Sequence, residues 1–374
     1  MLHDYFSLPG WAEGVASAGA AVTVLQRFHQ SKTFTRNNVT YNFISDRWPG
    51  NLRTWHMPTA VRQNLTQLPS TKPTIIHSHG LVHPLQTRYL SRNLPLTWAT
   101  LVQHHGELPW AGWRGHLQKW GLQLSDGFLF THRQIAQPWL QLGIINHTQQ
   151  IFSVMETSSL LIWADKTAAR ARTGLQGNPI FLWTGNLKAN KDPLTILMGI
   201  AQLLQQHPQA RLYMAFREDH LLAEVQQFLA AHPLLQQATS LLGHIPYDQI
   251  NDYYNSADIF VQGSHKEAAG VALLDALACG VIPVVTDIPA FRTVTNNGTV
   301  GALWPVGNVT AFYESCQSIL AQPLIPQAQQ ARQLFEQNWS FSAIGRQALQ
   351  VYETVLTQKT AAHPHLTQPP FPSV

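Results

Sequence analysis

Short apolar runs alternate with stretches of helical periodicity along almost the whole chain. Runs at 21–25, 39–44, 73–80, 98–103, 127–131 and 150–154 read as strands of a first region. Helical patterns at 58–68, 82–93, 111–124 and 133–142 fall among them, and one at 5–18 comes before the first strand. A second region repeats the alternation, with strands at 180–184, 211–216, 239–242, 259–261, 283–286 and 301–304. Its helices read at 193–206, 218–231, 247–256, 289–294, 309–321 and 326–337, with one more opened by Gly270 and stopped by Gly280. A final helix is expected over 341–357. Strands that alternate with helices imply parallel sheets, whose ligands gather at the strand C-terminal ends.

The stretch SHKEAAGVALLDALACGVIPVVT, residues 264–286, concentrates the chemistry. Glu267 precedes a helix whose Leu273, Leu274, Leu277 and Ala278 form a stripe to be buried, and Asp275 follows Glu267 by eight residues. The start of a helix exposes unpaired N–H groups and the positive end of its dipole, which suits an anion. Gly270 lets a ligand approach the backbone, and Val271 and Ala272 would offer their amides. A carboxylate beside that anion site accepts hydrogen bonds from hydroxyls, so phosphate and polyhydroxy ligand together suggest a sugar nucleotide. The second region's first turn holds Gly185, Asn186, a neutral donor, and Lys191, an ammonium. A fixed ammonium near a departing diphosphate stabilises charge that grows toward the transition state. The blander alternative is a solvated lysine in a strand-end turn and a surface glutamate.

This constellation resembles the donor site of the family-4 retaining glycosyltransferases. Their paired glutamates, with seven residues between them, correspond to Glu267 and Asp275, the second shortened by one methylene, and their Gly-Arg…Lys segment corresponds to Gly185, Asn186 and Lys191. The resemblance implies an α/β, GT-B fold: two Rossmann-like parallel-sheet domains facing across a cleft, with the C-terminal helix crossing back to the first. It places an acceptor-side domain at 1–158, a linker at 159–179 and a nucleotide-sugar-binding domain at 180–338. The crossover helix is then 339–358, and the proline-rich 359–374 is expected to be a disordered tail. By the same resemblance Glu267 orients the donor sugar, Asp275 holds the ribose, Lys191 neutralises the diphosphate and the turn at His244 and Ile245 holds the base. His105 matches the histidine that reaches the reacting sugar from the first domain, with Glu107 as an acceptor-side neighbour. Met155-Glu156 stands where the family has Asn-Gly. The implied reaction moves a sugar from a nucleotide donor to a hydroxyl of a glycan, glycolipid or small molecule, with anomeric retention. In this family a strand and glycine-rich turn come before the first helix, and this sequence starts with the helix. A truncated, non-catalytic donor-binding remnant is therefore one alternative, and a nucleotide-sugar epimerase of the same fold is another.

Bulk properties narrow the rest. A hydrophobic fraction of 45% and a charged fraction of 12% over 374 residues fit a globular protein with two cores. Two cysteines make no disulfide framework, and the first residues lack a signal-peptide pattern, so a cytoplasmic setting is the expectation. Residues 1–172 carry 15 basic against 7 acidic side chains, whereas 173–374 carry 9 against 13. The basic half favours acidic partners, including weak peripheral contact with the inner membrane face, but its charges are scattered, which argues against nucleic acid. No bound metal is expected. His77, His79, His104 and His105 have ligand chemistry, but alternation at a strand end is expected to turn one of each pair away. Trp110, Trp113 and Trp120 recur at helical spacing and are read as core and rim packing, with stacking on sugar rings or rest on a membrane surface as the alternatives.

Overall fold

The computed structural model describes residues 7–45 and 56–362. The chain divides into two compact units: residues 1–157 with 341–374, and residues 158–340.

Unit 1 holds two sheets. Strands β1 (Val22–Phe28), β2 (Lys32–Arg36) and β3 (Val39–Ser45) are ordered β1-β3-β2, with β1 parallel and β2 antiparallel to β3. The β2–β3 hairpin is absent from the sequence reading, which has only the second of its strands. Asn37 and Asn38 both take positive φ, 47° and 62°, the left-handed pair that a two-residue hairpin loop needs. Strands β4 (Thr74–His79), β5 (Trp98–Gln103), β6 (Gly127–Phe130) and β7 (Ile151–Ser153) form a parallel sheet in that order. Burial is complete along β5 and β6 but only partial along β4.

The last helix, Phe341–Ala362, belongs to unit 1 and runs longer than its periodicity suggests. It lies against the Ser7–Ser17 helix at backbone contact. A Cβ on Gly14 would sit 2.1 Å from the Phe341 carbonyl oxygen, and one on Gly345 would sit 2.1 Å from the Gly14 carbonyl. Residues 359–362 are helical, not tail, and Lys359 Nζ pairs with Asp126 at 2.9 Å. The rest of the expected tail, 363–374, lies outside the described residues, as do the first residues of the expected 5–18 helix.

Unit 2 is one six-stranded parallel sheet. Its strands are β8 (Ile180–Thr184), β9 (Arg211–Ala215), β10 (Thr239–Gly243), β11 (Ile259–Gln262), β12 (Ile282–Thr286) and β13 (Ala302–Trp304). The order β10-β9-β8-β11-β12-β13 reverses direction between β8 and β11. That reversal opens a crevice at the strand C-terminal ends, where ligands of such sheets bind. The segment expected as a linker is fastened to unit 2. Asp165 caps the Lys166–Thr173 helix, whose Lys166 and Arg170 both reach Asp258, at 2.6 and 2.8 Å. A six-residue helix, Pro233–Ala238, is too short for its period to stand out in the sequence.

The Trp-rich helix, Gly112–Leu122, departs from its expected packing. Trp113 is 75% exposed and Trp120 47%, while Gln118 is fully buried. Gln118 is satisfied there, donating to Leu81 O at 3.0 Å and accepting from Trp110 N at 2.8 Å. Gly121 lets the helix press on Pro84, since a Cβ there would lie 2.3 Å from the proline Cβ. These close approaches fix which side faces inward, and tryptophan is too large for it.

Candidate functional site

The turn after β8 and the loop after β11 meet at the sheet's reversal point. Asn190 Nδ2 donates to Lys266 O at 3.0 Å, and His265 N donates to Asn190 O at 2.8 Å. Gly263 admits the close approach, because a Cβ there would lie 2.9 Å from Asp192 O. Asp192, at φ 42°, caps the Pro193–Leu203 helix through Thr195 and so ends the β8 turn firmly.

Laced in this way, the two loops bring Lys191 and Glu267 into a direct ion pair, with side chains 21% and 16% exposed. Seventy-odd residues separate them in sequence, and the topology alone joins them. Four residues beyond Glu267 the Val271–Ala278 helix begins. Gly270 caps it at φ 69° and ψ 52°, a left-handed conformation that favours glycine, and a Cβ there would press on Phe291 at 2.9 Å. No side chain caps this helix start. Leu273 and Leu274 N–H both return to Gly270 O, and among the described residues the N–H groups of Val271 and Ala272 have no recorded acceptor. Val271 is 42% exposed, so the helix mouth is open on unit 2. The expected inward stripe, Leu273, Leu274, Leu277 and Ala278, is fully buried, as is all of β12 behind it.

Asp275 lies on the same helix, one turn in. Ser159 Oγ donates to its Oδ1 at 2.5 Å. Burial pushes its carboxyl up to about 7, the serine hydrogen bond offsetting only part of that. Asn186 is turned toward Glu218: its Nδ2 donates to Glu218 Oε1 at 2.8 Å and its Oδ1 accepts from Glu218 N at 3.3 Å. Glu218 also pairs with Lys188. The carboxamide of Asn186 thus shapes the turn, while Gly185 holds the turn to β9 through its N–H on Ala215 O at 3.1 Å. His244 stands exposed just after Gly243, itself at φ 66°, with Ile245 half-buried beside it.

Unit 1 carries a second constellation. His77 and His79 are two residues apart on β4 and so share a face, their rings stacked at 4.8 Å. The expectation that one of this pair turns away is therefore wrong; it holds only for the adjacent pair. His104 points inward, 1% exposed, with Nε2 on Glu107 O at 2.8 Å. His105 points outward: its Nδ1 lies 2.5 Å from Glu156 Oε2, its Nε2 lies 2.9 Å from His79 Nδ1, and its backbone N–H donates to Glu107 Oε2 at 2.6 Å. Burial alone would lower His105, but the Glu156 hydrogen bond and the two carboxylate charges outweigh it and raise the imidazole above its ordinary value. His79, desolvated and beside His105, is pushed down to about 4. Glu156 was not singled out in sequence. Its only signal was a charged side chain where the resembled family has Asn-Gly.

Residues 165–337 match the family model for glycosyl transferases group 1. A D-inositol 3-phosphate glycosyltransferase from Thermobispora bispora is 29% identical over 37% of this chain and 35% of its own length. A phosphatidyl-myo-inositol mannosyltransferase from Mycobacterium leprae is 31% identical over 33% of this chain and 35% of its own. The chain thus spans about a third of the length of these curated relatives. Among solved structures, a sucrose-phosphate synthase from Thermosynechococcus elongatus superposes with a TM-score of 0.68 at 18% identity, over 94% of this chain and 93% of that one. A glycosyltransferase from Rickettsia africae superposes with a TM-score of 0.71 at 14% identity, over 94% of both chains. The fold is GT-B, and within it residues 165–337 are similar to the group 1 glycosyl transferases.

Proposed function

We propose that the chain transfers a sugar from a nucleotide-sugar donor to an acceptor hydroxyl, with retention at the anomeric carbon. The observation that carries this reading is the Lys191–Glu267 ion pair at the sheet reversal, next to an uncapped, open helix start. Cation, anion-seeking amides and carboxylate stand together as a glycosyl diphosphate requires. Lys191 and the amides of Val271 and Ala272 take the diphosphate, Glu267 orients the sugar hydroxyls, and Asp275 accepts from the ribose. Gly185 admits the phosphates to the backbone, and the His244–Ile245 turn flanks the base. Glu267 keeps Lys191 in place before a donor arrives, so little reorganisation is needed at the moment of reaction. In unit 1, His105 with Glu107 is the acceptor-side group. Relatives named as inositol-phosphate glycosyltransferase, mannosyltransferase and glycogen synthase support sugar transfer, and Anabaena HepE, a neighbour in fold, is described in complex with UDP-glucose.

Thermal melting in the presence of UDP-, GDP-, ADP- and dTDP-sugars tests the donor site. One nucleotide series is expected to raise the melting temperature in a concentration-dependent way, since a ligand selective for the folded state stabilises it. Lys191→Gln should erase the shift. A shift that survives Lys191→Gln, or none with any donor, overturns the assignment.

A further inference from the structure

The Gly112–Leu122 helix is amphipathic in the wrong sense for a helix that packs only on its own domain. Trp113, Leu117 and Trp120 recur at four- and three-residue steps, with Leu124 four beyond, and this stripe faces away from the core. Trp113, Trp120 and Leu124 are 75%, 47% and 38% exposed. A contiguous apolar stripe of this kind marks a surface that meets something. Basic side chains flank it. Arg88 stacks on the Trp120 ring, 4.0 Å from its centroid, and Arg114 and Lys119 lie on the same helix. Below Trp120 and Leu124 opens a cavity of about 630 Å³. Leu94, Pro95 and Leu96 line it on the apolar side, Arg88 and Arg92 on the polar side, and among the described residues no carboxylate lines it. Lys359 also borders it, but that ammonium already pairs with Asp126. Among the described residues no carboxylate pairs with Arg88 or Arg92.

We infer that this face of unit 1 seats on an anionic lipid surface, with Trp113 and Trp120 in the headgroup layer and a lipid phosphate between Arg88 and Arg92. Tryptophan prefers an interface, where its ring meets acyl carbon and its N–H meets polar groups. Each arginine near an anionic leaflet adds about 1 kcal/mol of attraction. Apolar area and charge together are what an interfacial helix requires. No helix among the described residues is long and apolar enough to cross a membrane, so the contact is with the surface. This reading rests on unit 1 alone and is independent of the donor site.

Co-sedimentation of the full chain with vesicles tests it without any sugar nucleotide. Binding is expected to phosphatidylcholine vesicles containing about one third phosphatidylglycerol, falling steeply with salt, and far less to phosphatidylcholine alone. Arg88→Gln with Arg92→Gln should weaken it roughly 10- to 30-fold, and Trp113→Ser should weaken it with the charges intact. Arg92 and Trp113 are exposed, and Arg88 is half-buried with one N–H on Trp120 O, so a thermal melt of each variant separates lost binding from lost folding. The inference fails if the chain stays in the supernatant, or if the variants bind as well as the parent. It also fails if inorganic phosphate competes fully and Trp113→Ser has no effect, which would make the cavity a soluble-anion site. Reversible self-association that Trp113→Ser abolishes, without vesicle binding, would assign the face to a second copy of the chain.

Discussion

The two units solve the same architectural problem differently. Unit 2 runs six parallel strands in one sheet with a single reversal, and its polar groups of opposite charge, Lys191 and Glu267, converge at that point. Unit 1 divides its strands between sheets of three and four, and the groups at its strand ends are imidazoles chained to carboxylates. The first arrangement suits holding a dianion, because a fixed cation and helix amides need no proton exchange to do it. The second suits holding or passing a proton near neutral pH, because Glu156 raises one imidazole while burial depresses its neighbour.

The contrast breaks most visibly at Glu267. Glu267→Gln is expected to lower turnover about 100- to 1,000-fold, the scale of losing one transition-state contact, with little change in melting temperature. Turnover within twofold of the parent would remove Glu267 from the site. Lys191→Met should lose comparable activity and also stability, since it leaves a partly buried carboxylate without its cation. A double-mutant cycle on melting would then show coupling of about 1–3 kcal/mol.

A smaller effect sharpens the other side. Glu156→Gln removes the partner that raises His105, so the His105 titration followed by NMR should move down. The folded-state value of this imidazole lies above the unfolded one. Its contribution to stability is therefore present below about 6.5 and lost as pH rises through the raised value. The parent should exceed Glu156→Gln in stability most at mildly acidic pH, with the gap closing toward pH 9. A gap that widens with pH would show that Glu156 acts on something other than His105. His79 works against this trend, since an imidazole kept neutral by burial costs stability as pH falls below its unfolded value.

The smallest effect concerns Asp275. Burial raises its carboxyl to about 7, so stability falls as pH rises from about 4, where the unfolded carboxyl ionises, to about 7, stays lower above that, and is unaffected in acid. Asp275→Asn should melt about 2–4 °C higher than the parent at pH 8 and equally near pH 4. Equal melting at both would mean that Ser159 fully compensates the buried charge.

Legibility followed burial. Where a strand is covered on both faces, as in β5, β8 and β12, its sequence is an unbroken apolar run and was found with its ends nearly in place. The helix mouth at Gly270 was also legible, because glycine, the following apolar stripe and Gly280 are local signals. Elements with weak local signals were lost. β2 is only partly covered and shows no apolar run, though Asn37-Asn38 was a turn signal that went unused. Distance in sequence hid the rest. Nothing near Asn186 announces that Glu218 would take up its carboxamide, and nothing near Glu156 announces His105, 51 residues earlier. The exposure of Trp113 and Trp120 is not legible in sequence, because period alone says which residues share a face, not which face is turned inward. Gln118 and Gly121 decided that, through contacts with Leu81 and Pro84.

The glycine contact between the Ser7–Ser17 and Phe341–Ala362 helices has a consequence for assembly. Half of the helix pair that closes unit 1 comes after unit 2 in the chain, whereas unit 2 is an uninterrupted stretch. During vectorial synthesis unit 2 has all its parts first, and unit 1 must wait, open along that flank, for a clasp that is made only after unit 2.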